Sequence, residues 1–148
     1  MISLRSTLAL VLLAGFAVAR ADDAAALNTR GPEPREVSLG GQEFKLADYT
    51  VPGKTTIFDF YSQFCPPCRA IAPLVKKLHE ARPDLAVVEV DINRPGLKAI
   101  DWESPVAKEF QLDSIPHFKV FGPDGKLLAE GDDARTMVMG WVQSSVSF

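Results

Sequence analysis

The stretch that decides the fold is Phe58-Asp59-Phe60-Tyr61-Ser62-Gln63-Phe64-Cys65-Pro66-Pro67-Cys68-Arg69-Ala70-Ile71-Ala72-Pro73. It holds both cysteines of the chain, set where an apolar β-type run gives way to a helical pattern. Cysteines at i and i+3 in a first helical turn are close enough to close a small disulfide, and the unpaired N–H groups of that turn stabilise a thiolate. Cys65 therefore reads as the exposed, attacking sulfur and Cys68 as the resolving one. Two other readings compete. A purely structural disulfide across so short a loop would remove little unfolded-chain entropy. A zinc or copper site would use C-x-x-C as half of its ligands, but there is no second cysteine pair, and His79 and His117 lie far apart in the chain. No metal and no organic cofactor is expected.

Beyond the cysteines, Asp59 stands six positions before Cys65, and Pro73 five after Cys68. Ile115-Pro116 follows later, then a strand pattern, a Pro123-Asp124-Gly125 turn, a second strand and Gly131. This ordered set, from about Val37 to Val146, resembles the thioredoxin family. The flank around Cys65-Pro66-Pro67-Cys68 is similar to the extracytoplasmic thioredoxin-like reductases. The resemblance implies an α/β thioredoxin-like fold, a central mixed β-sheet flanked by helices, carrying a redox-active disulfide. It further implies that Asp59 is a buried acid that exchanges a proton with Cys68 through a water. Ile115-Pro116 is expected to be cis and to lie against the cysteines, with the Ile115 backbone pairing with the client chain. Phe64, Pro66 and Pro67, together with Ile115, Pro116, His117 and Gly131, are the expected client surface. His117 could tune the thiolate, or it could be an ordinary strand residue.

Two departures from the family stand out. Tyr61 and Phe64 occupy positions where relatives carry tryptophans, and Glu89 occupies one where thioredoxins often carry a lysine facing the buried acid. If Glu89 points at Asp59, two carboxyls share one pocket and at least one is harder to ionise.

The chain of 148 residues, 47% apolar and 24% charged, is sized for one globular domain with a real core. Met1 to Ala21 has Arg5 in a basic start, an apolar run from Leu8 to Ala19, and an Ala19-Arg20-Ala21 cleavage pattern. It reads as a signal peptide removed before Asp22; as a retained anchor the run is short for a bilayer. The formal charge is −3, and losing Arg5 and Arg20 makes it two units more negative. An acidic chain of this kind argues against nucleic acid and against stable binding to an anionic membrane. The expected destination is the periplasm or the outside of the cell, where disulfides persist. The expected partners are client proteins with disulfides or thiols and an upstream redox protein, and the expected state is a monomer.

Taken in order, residues 22–36 read as a flexible leader and 37–148 as the domain. Val37 to Tyr49 reads as an edge hairpin or strand, Thr55 to Tyr61 as a central strand, Pro66 to about Arg82 as a helix, and Leu85 to Asp91 as a strand. Ser104 is the expected cap of a short helix from Pro105 through Phe110. Phe118 to Glu130 reads as a hairpin, and Asp132 or Asp133 as the cap of a last helix packed through Val138, Trp141 and Val142. Prolines at 66 and 67 supply neither charge nor N–H to Cys65, which favours a reducing or neutral exchange protein over a strong oxidant. A binding or chaperone module and a metal handler remain the alternatives.

Overall fold

The β-branched and aromatic run Thr55–Tyr61 forms the middle strand of a five-stranded sheet, as its composition demands of a strand covered on both faces. The computed structural model describes residues 35–37 and 40–145. Its elements are β1 (Arg35–Val37), a 3-10 turn (Leu46–Asp48), β2 (Thr55–Tyr61), α1 (Pro66–Ala81), β3 (Leu85–Asp91), α2 (Pro105–Glu109), β4 (His117–Phe121), β5 (Leu127–Glu130) and α3 (Gly131–Ser145). The sheet order is β1-β3-β2-β4-β5. The first three strands are mutually parallel, while β4 runs antiparallel to β2, and β5 to β4.

Side chains alternate along each strand, so the sheet has two apolar faces. Ile57, Val87, Phe118 and Val120 pack against Ile71, Val75 and Leu78 of α1 and Ala134, Val138 and Val142 of α3. Phe58, Phe60, Val88 and Val90 form the other layer with Ile92, Val106 and Leu112, edged by the rings of Phe44 and Phe110. The same period of two puts Asp59 and Glu89 on the face that α1 covers.

Several boundaries differ from the sequence reading. Arg35 and Glu36, assigned to the leader, pair in parallel with Val88 and Glu89. Among the described residues between Val37 and Tyr49 no hairpin forms. Gly40 and Gly41 both take positive φ, and the Gly41 carbonyl accepts the Val106 N–H, so the chain crosses toward α2 instead of doubling back on β1. The apolar spacing of Phe44 and Leu46 reflects loop residues packed on the core. The last helix starts at Gly131, so Asp132 and Asp133 lie within its first turn. There their charge favours the helix N-terminus. The segment 1–21, residues 22–34 of the leader and the last three residues lie outside the described residues.

Ser104 caps α2 as expected, its hydroxyl accepting the Ala107 N–H. The loop before it is pinned by a bidentate pair from Arg94 to Asp101 and by Asn93, which donates to the Ala99 carbonyl. Gly41 lies under this loop. A Cβ there would sit 3.1 Å from both the Arg94 backbone nitrogen and the Ile92 carbonyl oxygen, on a backbone with φ of +72°. Gly41→Ala is therefore expected to destabilise the protein by about 2 kcal/mol or more, from left-handed strain and a backbone clash together. Urea unfolding checks this, and a midpoint equal to the wild type would refute it.

Candidate active site

The turn that carries the chain from β2 into α1 is built by Ser62, a residue the sequence reading passed over. Buried, it accepts the Phe64 N–H on its hydroxyl and the Cys65 N–H on its carbonyl. The visible signal was a Ser three residues before the first cysteine, at a strand-to-helix switch, where hydroxyls form such local turns. Cys65 then stands at the N-cap with extended φ and ψ, and Pro66 and Pro67 fill positions whose N–H groups would lack helical partners. The Cys68 N–H donates to Cys65 Sγ at 3.1 Å. Cys65 and Cys68 are joined in a disulfide, with Cα atoms 5.3 Å apart.

Neither sulfur is open in this oxidised form. Cys65 is 2% exposed and Cys68 3%, against the expectation of an exposed Cys65. The Ile115 carbonyl oxygen lies 3.6 Å from Cys65 Sγ, and the Ile115-Pro116 bond is cis, so the loop before β4 closes over Cys65. What distinguishes the two cysteines is their surroundings. Cys65 accepts the helix N–H and touches the cis-proline loop. Cys68 instead lines a cleft of about 290 Å³ together with Asp59, Tyr61, Gln63, Arg69, Ala72 and Glu89.

Asp59 in that cleft is 3% exposed, and its Oδ1 accepts no hydrogen bond among the described residues. Burial first, and the charge of Glu89 second, push its carboxyl up to about 8. Glu89 is register-paired with Asp59 across β2 and β3, so the two carboxyls do share one pocket. Tyr61, standing where relatives have an indole, keeps a polar function: its hydroxyl donates to Glu36 Oε1 at 3.0 Å. Arg69 lines the Cys68 side of the cleft.

Of the expected client surface, Pro66 and Pro67 are exposed and Phe64 is half-buried. Pro67 and Pro116 also line a shallow groove with Ala70, Ile71, Leu74 and Met139, whose one charged member is Arg135. His117 is placed elsewhere. It pairs with Phe60 in the sheet and its ring meets that of Phe60, on the face opposite α1. Its Nε2 lies 3.7 Å from Glu130 Oε1, and burial, reinforced by Lys119, lowers its proton affinity. An imidazole packed on Phe60, on the face opposite α1, is not positioned to tune the Cys65 thiolate. Among the described residues no three His, Cys, Asp or Glu side chains are grouped to hold a metal ion, so His117 does not join the two sulfurs in such a set. Gly131 sits beside His117 with φ of +62°.

The comparisons with known proteins now have a geometry to meet. The family model Thioredoxin matches residues 40–141, most of the chain. This chain belongs to the thioredoxin family. It is 36% identical over 75 residues to mitochondrial thioredoxin-3 of Saccharomyces cerevisiae, covering 50% of this chain and 51% of that one. To chloroplastic thioredoxin F2 of Arabidopsis thaliana it is 33% identical over 82 residues, covering 55% and 40%. The match thus spans about half or less of these relatives' length. Among solved structures it resembles one from a complex of ferredoxin:thioredoxin reductase and thioredoxin f2, with a TM-score of 0.50 and 26% identity over 78% of this chain and 97% of that one. The thioredoxin assignment agrees with the sheet order, the cis-proline loop and the disulfide.

The Asp59 carboxyl in this thioredoxin-family fold yields a stability prediction. Its folded proton affinity exceeds that of the unfolded chain, so between pH about 4 and about 8 the native state holds a proton that the unfolded state has lost. Wild-type stability must fall as pH rises through that window. Asp59→Asn, which cannot ionise, is expected to be more stable than wild type by on the order of 2 kcal/mol at pH 8. The advantage should grow from acid to pH 8 and level off above it. Thermal unfolding of the oxidised proteins across pH measures this, and an advantage confined to acid would contradict it.

Proposed function

We infer that this protein is a thiol-disulfide oxidoreductase acting on disulfides of client proteins through Cys65 and Cys68. The observation that carries the inference is the asymmetric placement of the joined sulfurs: Cys65 at a helix N-cap under the cis-proline loop, Cys68 on the cleft that ends at Asp59. In the reducing direction the Cys65 thiolate, stabilised by the Cys68 N–H, attacks one client sulfur and forms a mixed disulfide. The displaced client thiolate takes its proton from solvent. Cys68 then gives its proton to the Asp59 carboxylate, attacks Cys65 Sγ, and expels the second client thiolate. Two electrons have passed to the client, the Cys65–Cys68 bond is closed, and Asp59 is left protonated. A carboxyl pushed up to about 8 in the disulfide form suits that end state.

The direction is reducing or neutral. Pro66 and Pro67 offer no N–H, His117 is turned to the other face, and one backbone donor, from Cys68, reaches Cys65 Sγ. Modest thiolate stabilisation of this kind leaves the disulfide form less oxidising. Phe64, Pro66, Pro67 and the Ile115-Pro116 backbone form the client surface, with clients entering by displacing the Ile115 carbonyl contact over Cys65. An upstream redox protein restores the dithiol; the likeness to a thioredoxin f2 solved with its reductase supports a protein donor. The n-region, apolar run and cleavage pattern of Met1 to Ala21 support export to the periplasm or beyond, with cleavage after Ala21.

Cys65→Ser is expected to lower the rate of insulin disulfide reduction at least ~10³-fold, the scale of losing a covalent nucleophile. Cys68→Ser should instead accumulate a mixed disulfide with the client, visible as a mass increase released by dithiothreitol. Full insulin reduction by Cys65→Ser would refute the enzyme reading in favour of a binding module.

A further inference from the structure

Glu89 is the group in the cleft that the exchange reaction described above leaves unused. It is the register partner of Asp59 on one side and of Glu36 on the other. Parallel register partners project from the same face of a sheet, so three carboxyls stand in a row from the buried Asp59, through half-buried Glu89, to exposed Glu36. Among the described residues, the charged and titratable groups turned toward Glu89 include Glu36 from β1, Asp59 and Tyr61 from β2, Asp91 on its own strand, and Cys68 and Arg69 from α1. Four of these six are acids or a phenol already held by an acid, since the Tyr61 hydroxyl donates to Glu36.

We propose that Glu89 is a positioning residue for the exchange reaction: standing beside Asp59 in the cleft under Cys68, it sets the pH range over which the Asp59 carboxylate can take the Cys68 proton. The physical basis is like-charge repulsion inside a low-dielectric cleft. A negative Glu89 makes ionisation of Asp59 harder, and it makes the carboxylate, once formed, a stronger base toward a thiol. Asp59 must be ionised to accept the proton, so the resolving step speeds up as pH rises toward the point where Asp59 ionises. Cys68 as a thiol is neutral, as it is in the disulfide, so the charge around Asp59 in the mixed disulfide matches that described here. No atom of Glu89 is consumed or transferred. The proton passes from Cys68 to Asp59, and the electron pair from Cys68 to Cys65 Sγ, as before.

This rests on the exchange reading of Cys65 and Cys68, and one experiment separates the two. Reduced protein is mixed in a stopped flow with an aromatic disulfide whose thiolate absorbs. Attack by Cys65 releases the first thiolate, and closure by Cys68 releases the second. In the wild type the second phase should accelerate with pH and level off as pH passes about 8. In Glu89→Gln its midpoint should move down by about one pH unit, roughly a tenfold change in ionised Asp59 at neutral pH. Glu89→Asp should restore the wild-type profile. Asp59→Asn should lose this dependence, and adding Glu89→Gln to it should change nothing further, because Glu89 acts through Asp59. A second phase whose midpoint Glu89→Gln leaves in place, or moves equally without Asp59, overturns the role of Glu89 alone. Absence of a second phase in the wild type overturns the exchange reading and this role with it.

Discussion

A carboxyl in the middle strand of a sheet must be neutral or be given a partner, because a bare charge in an apolar layer is too costly to keep. Among the described residues Asp59 Oδ1 accepts no hydrogen bond, and its strand neighbour on β3 is another acid. The surrounding structure follows from that constraint. Valines and phenylalanines fill much of both faces, α1 is laid over the acid, and the gap that remains is a cleft that joins Asp59 to Cys68. Asp59 and Cys68 therefore line one cleft, with Oδ1 of the acid left without a hydrogen bond among the described residues.

The second sulfur belongs to a different neighbourhood. Cys65 is held by Ser62 below, by the Cys68 N–H beside it and by the Ile115 carbonyl above. The two ends of the disulfide thus face unlike surroundings, the cis-proline loop at Cys65 and the acidic cleft at Cys68. The burial of both cysteines in the oxidised form fits the same arrangement: the roof is a loop backbone, which a client backbone can replace with equivalent contacts.

Local chemistry made much of this legible. The strand from Thr55, the helix from Pro66, the strand from Leu85 and the cap at Ser104 all carry short-range signals, and each stands where its pattern puts it. The cysteine pair and Ile115-Pro116 were readable because both are rare dipeptide-scale devices. Other features had no local signal. Arg35 and Glu36 join the sheet only because β3 presents a free edge to them. The Gly40-Gly41 pair reads equally as a hairpin turn and as a crossing, and the contact of Gly41 with Arg94 and Val106 decides between them. His117, next to the cis-proline in sequence, is turned from the sulfurs by strand alternation against Phe60.

By itself the sequence determined the class of the fold, the identity of the reacting sulfurs and the presence of an acid within an apolar strand, because these depend on composition and spacing over a dozen residues. Tertiary structure alone decided that Glu89 faces Asp59 and that Cys65, expected to be exposed, is buried in the disulfide form. Those facts depend on register between strands distant in the chain, and a shift of one residue would have turned Glu89 to the other face of the sheet.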